Sequence, residues 1–137
     1  STKVLHLHGE ATKVRPEDGE YDRSYSEKEV IDIGYDEVHL GDKAPNGSQL
    51  RPHIVFFGEA VPNIGKDLDI VSAADIMLIV GTSLNVYPAV GLYRYAPNGI
   101  PIYLIDPEDV AIADPRITQI HQVATKGMET FRRMLGQ

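Results

Sequence analysis

Five consecutive apolar residues, Ile76-Met77-Leu78-Ile79-Val80, run between Asp75 and Gly81 without a polar interruption. A strand that is apolar at every position has no face to offer water, so it is expected to be covered on both faces, as the central strands of parallel sheets are. Other short apolar runs alternate along the chain with turn residues and amphipathic stretches, the pattern of strands interleaved with helices. The predicted strands are 3–8, 53–57, 76–80, 102–105 and 119–123. Ile64, Leu68 and Val71 share one face of a helix that is expected to end at Asp75. A second helix is expected after Pro88, and a third from Thr125 as its N-cap, turning Met128, Phe131 and Leu135 inward. The fold class is α/β, built on an open parallel sheet.

One segment departs from this pattern. Thr12 to Gln49 holds ten acidic and five basic residues, so it carries −5 of the net −7, and it is broken by Pro16, Gly19, Gly34, Gly41, Pro45 and Asn46-Gly47. It reads as a small acidic lobe, 12–49, inserted in a single domain whose main portion is 50–137. Val30 to Ile33 and Val38 to Leu40 are assigned to a hairpin of that lobe, with Tyr21, Tyr25 and Tyr35 as its core. The surplus of acid argues against binding to a nucleic-acid backbone, which requires clustered Lys and Arg. The apolar runs are far short of the ~20 residues that cross a bilayer, and no charged and apolar leader opens the sequence. The expected location is therefore the cytoplasm. With no Cys in 137 residues, thiolate metal sites, disulfides and Cys nucleophiles are excluded.

In open parallel sheets ligands bind beyond the carboxyl ends of strands, so the residues ending each apolar run carry the chemical information. Gly81-Thr82-Ser83-Leu84 offers close backbone approach and two hydroxyls ahead of a Pro-initiated helix, which suits a phosphate or a ribose. It is also an ordinary strand-to-helix turn. Asp106-Pro107-Glu108 ends the next strand, where an acid either accepts from ribose hydroxyls or forms a turn before proline. In Leu5-His6-Leu7-His8-Gly9-Glu10, strand alternation sets both histidines on one face. His8 can serve there as a general base, since an imidazole accepts a proton near neutrality. His6, His8 and Glu10 can equally bind a metal, as in a hydrolase. Arg51 to Glu59 is either a core strand or an edge to which an extended peptide adds. His39, His53 and His121 are read as structural or exposed, none at a matching strand end.

Taken in order, these stretches resemble the C-terminal part of the catalytic domain of sirtuins, the NAD-dependent protein lysine deacylases. Leu7-His8-Gly9 resembles the catalytic-histidine motif of that family. Arg51 to Glu59 with Val61-Pro62 resembles its R-P-x-V-V-x-F-G-E-x-x-P stretch, and Gly81 to Ala89 its G-T-S-L-x-V-x-P-A motif. Ile105-Asp106 stands where the family has Ile-Asn, and Ala124 where it has a small residue beside adenine. The resemblance implies a Rossmann-like sheet. It implies that His8 is the catalytic base, that Gly81, Thr82 and Ser83 contact NAD, and that Asp106, Pro107 and Glu108 lie near the adenosine ribose. An acyl-lysine peptide would be clamped as an added strand by Val55, Phe56, Phe57, Gly58 and Glu59 on one side and the Leu84 and Val86 segment on the other. The acyl group would pass to ADP-ribose with release of nicotinamide.

Three departures from the pattern shape the expectation. The lobe lacks the four zinc cysteines of most members, so zinc is not expected, and a zinc-free lobe points to a bacterial member. Asp at 106 keeps an acceptor but loses an amide donor. The Gly-rich NAD loop, the arginine-bearing loop and the Q-N-x-D motif precede the histidine in the family, whereas seven residues precede it here. The chain is accordingly expected to be inactive alone and to need an N-terminal half, or an identical copy, against an open sheet edge. The alternative is a fragment that binds a nucleotide or peptide without turnover.

Overall fold

The computed structural model describes residues 2–17, 29–82 and 89–136. They form two compact units, Ser1–Ile64 and Gly65–Gln137.

The first unit is built on a small antiparallel sheet in the order β2-β1-β3, formed by β1 (Gly9–Pro16), β2 (Ile31–Asp32) and β3 (Leu50–Ile54). β1 pairs with β3 from Gly9↔Ile54 to Pro16↔Leu50, with the register broken between Glu10 and Val14. Among its described residues Val14 and Ala44 are the buried apolar ones, and Arg15 and His53 are buried with them. Polar bracing accompanies them. Gln49 supplies part of it: its side-chain Oε1 accepts from the Gly41 amide at 2.7 Å, while its Nε2 donates to the His39 and Leu50 carbonyls.

Several expectations are corrected in this unit. Residues 3–8 form no strand, because the chain turns at Leu7-His8 and pairing begins at Gly9. The strand expected at 53–57 lies at 50–54 and is antiparallel. Val38 to Leu40 forms no hairpin strand, because the backbone there is bonded by the side chains of Asp42 and Gln49. Ile31–Asp32 pairs with β1 instead. Tyr35 is 100% exposed and so is no part of a core, whereas Tyr21 and Tyr25 lie outside the described residues.

The second unit holds α1 (Ile64–Ser72, entering from the unit boundary), β4 (Met77–Val80), a 3-10 helix (Ala89–Tyr95), β5 (Ile102–Ile105), β6 (Ile117–Ile120) and α2 (Ala124–Met134). β4, β5 and β6 form a parallel sheet in that order, with Val80, Ile105 and Ile120 in one register line. The middle strand is β5: Ile102 and Ile105 are 0% exposed and Leu104 nearly so. β4, expected to be covered on both faces, is the outer strand of the described sheet, with Val80 40% exposed. Its composition reports how apolar it is, not what lies beside it.

α2 closes the core against β5 and β6. Ile105, Ile120 and Phe131 cluster with Leu78, Tyr103 and Met128, and the Tyr103 and Phe131 rings meet edge to face at 5.0 Å. The helix caps at Val123 rather than Thr125, without a side-chain cap, and Leu135 follows the last helical residue half exposed. β6 starts two residues earlier than expected, at Ile117, because Asp114 and Arg116 lock the preceding turn. Arg116 Nη2 lies 2.8 Å from Asp114 Oδ2, and its Nη1 donates to the Ala96 carbonyl.

Gly127 is where α2 presses closest to the sheet, since a methyl group on it would collide with the side chain of Ile105. The overpacking cost of about 1–3 kcal/mol exceeds a helix-propensity gain of at most about 1 kcal/mol. Gly127→Ala is therefore expected to lower the urea midpoint. The same change in an Ile105→Ala background, where room exists, is expected to raise it.

Candidate active site

Each unit contributes its own group of candidate residues. In the first, His8 sits at a tight turn immediately before β1, and its side chain is exposed. Gly9 has φ of 90° and lies so close to the His53 backbone that no side chain fits there. Pairing therefore starts directly after the histidine. The His8 carbonyl accepts the Val55 amide at 2.9 Å, so the histidine turn is tied to the exit of β3. Its neighbour His6 is engaged elsewhere, with Nε2 3.5 Å from Glu10 Oε1, and Glu10 also takes Lys13 at 2.5 Å. The Lys13 hydrogen bond, with the nearby charges, holds the Glu10 carboxyl below its usual value. Among the described residues no three His, Cys, Asp or Glu side chains are grouped to hold a metal ion.

After Val55 the chain is not extended. The Glu59 amide donates to the Phe56 carbonyl at 3.1 Å, and the Phe56 amide donates to Glu59 Oε2 at 2.8 Å, closing a turn in which Gly58 has φ of 88°. Phe57 is thrown outward, 99% exposed, and Phe56 is half exposed beneath the Arg51 guanidinium, 4.5 Å from the ring centre. Arg51 grips Glu59 with both terminal nitrogens, at 2.6 and 3.1 Å, while Arg15 approaches at 3.5 Å and Glu17 completes the group against Arg51 at 3.3 Å. Burial alone would raise the pKa of Glu59, but the Arg51 hydrogen bonds, the Phe56 amide and the two positive charges together pull it below 4.5. The peptide-contact segment expected as a strand is thus a clamped aromatic turn. Its backbone at Phe56 is consumed internally.

In the second unit the carboxyl ends of the parallel strands bring the expected nucleotide residues together. Gly81 follows β4 with φ of 64°, and its amide donates to the Ile105 carbonyl at 2.9 Å. The Asp106 amide in turn donates to the Ile120 carbonyl at 3.3 Å. Gly81 and Asp106 therefore stand side by side at one edge, as the ligand rule for such sheets requires. Asp106 Oδ1 accepts the Glu108 amide at 2.9 Å, so the acid shapes its own turn and retains its second oxygen for other partners. Thr82 is half-buried, Pro107 and Glu108 are exposed, and Ala124 opens α2 at the same end, beyond β6. Ser83, Leu84 and Val86 lie outside the described residues.

The sequence sets His121 at no matching strand end, and the register corrects this. It follows Ile120 directly, so it ends the third parallel strand in line with Gly81 and Asp106, and it is exposed. The signal in the sequence was the end of an apolar run, obscured by placing that run two residues late. His53 is buried in β3 opposite Glu10, and His39 is exposed beside Glu37 and Asp42.

The first unit thus carries an aromatic turn tied to an exposed histidine, and the second a parallel sheet presenting Gly81 and Asp106 at its carboxyl edge. A family model described as the Sir2 family matches residues 1–88. The chain belongs to the Sir2 family. It is 48% identical over 136 residues to an NAD-dependent protein deacylase of Bacteroides thetaiotaomicron, a match covering 98% of this chain and 57% of that one. A deacylase of Aggregatibacter actinomycetemcomitans is 52% identical over 107 residues, 78% of this chain and 48% of its own. A solved Sir2 homolog described as an NAD complex superposes with a TM-score of 0.74 at 25% identity, covering 94% of this chain and 49% of that one. The chain thus spans about half the length of the relatives it matches.

Two outcomes follow for the first unit. Gly9→Ala combines a left-handed backbone with a backbone collision, so a loss of several kcal/mol is expected in urea unfolding of that unit, together with loss of Val55 amide protection. Because the folded pKa of Glu59 lies below its unfolded value of about 4.5, its contribution is present above that pH and is lost as pH falls through the folded value. Stability measured from pH 7 to pH 3 is expected to decline less steeply below 4.5 in Glu59→Gln than in the parent, from a lower starting point.

Proposed function

We propose that this chain carries the catalytic-histidine, peptide-contact and C-terminal nucleotide portions of a cytoplasmic NAD-dependent protein lysine deacylase. The second unit is taken as part of a Rossmann-like parallel sheet, and the acidic lobe as a zinc-free version of the family's small lobe. The observation that carries the reading is the His8 carbonyl to Val55 amide bond, which makes an exposed imidazole and an exposed aromatic turn one piece. Homology to NAD-dependent protein deacylases supports the same reading over about half their length.

The residues present suit a dinucleotide. Nothing lies within 4 Å of the position a side chain would take on Gly81, which leaves its backbone open to a phosphate or sugar. Asp106 offers a carboxylate oxygen to a ribose hydroxyl, and Thr82 and Ser83 offer their own hydroxyls. NAD, when bound, supplies an electrophilic ribose carbon whose leaving group is nicotinamide. His8 accepts the proton from a ribose hydroxyl, which is work for a neutral imidazole within hydrogen-bond reach. Phe57 and Gly58, whose backbone lies outside the Phe56 to Glu59 hydrogen bonds, pair with the acyl-lysine peptide, and Phe57 covers its apolar arm. The outer edge of β4 takes a further strand, from an N-terminal portion or from a second copy.

The test is release of nicotinamide from NAD with an acetyl-lysine peptide. It is run on this chain alone and again with the N-terminal part of the Bacteroides thetaiotaomicron relative supplied. Release in the mixture and its loss in His8→Ala are expected. A folded mixture that binds NAD or ADP-ribose equally well with and without His8, and releases no nicotinamide, would leave the reading of a non-catalytic binding module.

A further inference from the structure

Glu59 lies in the segment assigned to peptide contact, yet its carboxylate faces inward. Its side chain is 9% exposed, and both oxygens are occupied: Oε1 by Arg51, and Oε2 by Arg51, by the Phe56 amide and, at 3.5 Å, by Arg15. Little acceptor capacity is left for a substrate. The largely buried side chains of Arg15, Arg51 and Glu59 are joined by Glu17, whose side chain reaches Arg51 from the surface, so two positive groups face two negative ones. We infer that Glu59 is a positioning residue which, through Arg51 and the Phe56 amide, holds the 55–58 turn in the shape that displays Phe57 to an acyl-lysine peptide.

The inference rests on the deacylase reading for its substrate and on geometry for the clamp. Three constraints meet at Phe56: its amide on Glu59, its carbonyl on the Glu59 amide, and its ring under Arg51. With Phe56 held, the next residue has no inward place, and Phe57 projects fully into solvent. An exposed Phe held by a rigid turn offers apolar area without the ordering cost of a mobile loop. At the other end of the segment Val55 is bonded to His8, so the clamp also sets the end of the turn nearest the histidine.

The experiment uses Glu59→Asp, which preserves charge balance but shortens the arm so that it cannot span Arg51 and the Phe56 amide together, and Arg51→Lys, which keeps the charge and loses the fork. Amide exchange is measured by NMR on this chain, with Leu104 of the second unit as internal reference. In both variants the Phe56 amide is expected to exchange about tenfold faster, the scale of one charge-assisted hydrogen bond, with Leu104 unchanged. In a deacylase joined from this chain and the N-terminal part of the Bacteroides thetaiotaomicron relative, KM for an acetyl-lysine peptide is expected to rise about tenfold, with kcat and KM for NAD within about twofold. Unchanged Phe56 exchange in both variants overturns the clamp. A collapse of kcat at constant peptide KM overturns the positioning role and makes Glu59 a participant in the chemistry. If the joined parent shows no turnover, the deacylase reading fails, while the exchange result still decides whether the clamp exists.

Discussion

The described part of the first unit is braced by an ion group around Glu59. Val14 and Ala44 are the buried apolar residues described there, and the sheet around them contains two prolines, Pro16 and Pro52, and a broken register. Arg51 reaches out of β3 to Glu59, Arg15 reaches out of β1 to the same carboxylate, and Glu17, just past β1, returns to Arg51. Two strands and the turn that follows them are thereby joined through one carboxyl group. Such a network is costly to desolvate, and the paired Arg51 and Glu59 hold one mutual geometry although the buried Arg51 Nε has no partner among the described residues. The outward Phe57 accompanies it, because Phe56 before it is held by the Glu59 carboxylate and lies under Arg51.

The second unit follows the opposite logic. There the order comes from apolar packing, with Ile102, Leu104 and Ile105 buried in the middle strand and Ile105 packed with Phe131 of α2, and polar groups appear where strands end. In-register parallel pairing makes the carboxyl ends of β4, β5 and β6 coincide, so residues distant in sequence become adjacent. Gly81 and Asp106 are neighbours because each donates its amide to the carbonyl ending the next strand. His121 joins them for the same reason. The loop after Asp106 is kept from wandering by Gln119, whose side-chain amide donates to the Val110 carbonyl at 2.7 Å.

Motif and register were legible to different extents. The stretches around His8, Arg51 to Glu59 and Gly81 were informative because turns and buried charge pairs impose residue types: Gly9 admits no side chain, and a carboxylate facing two arginines admits little besides Glu. β5 was read at its true bounds because a four-residue apolar run between Pro101 and Asp106 has one way to pair. The segment 3–8 misled, since alternation of His and Leu resembles a strand but nothing pairs with it before Gly9. Residues 53–57 misled likewise: five bulky residues suggest extension, yet the Phe56 to Glu59 bonds curl the last of them into a turn.

From the sequence alone came the α/β class, the family resemblance and the absence of cysteine ligands. These are properties of residue type and short spacing, which local sterics and hydrogen-bonding capacity determine. The tertiary structure decided that β3 is antiparallel, that β4 is an outer strand, that Tyr35 is exposed and that Glu59 faces inward. Each of these depends on which distant segment supplies a partner, and a side chain carries no record of its neighbour until the chain has closed upon itself.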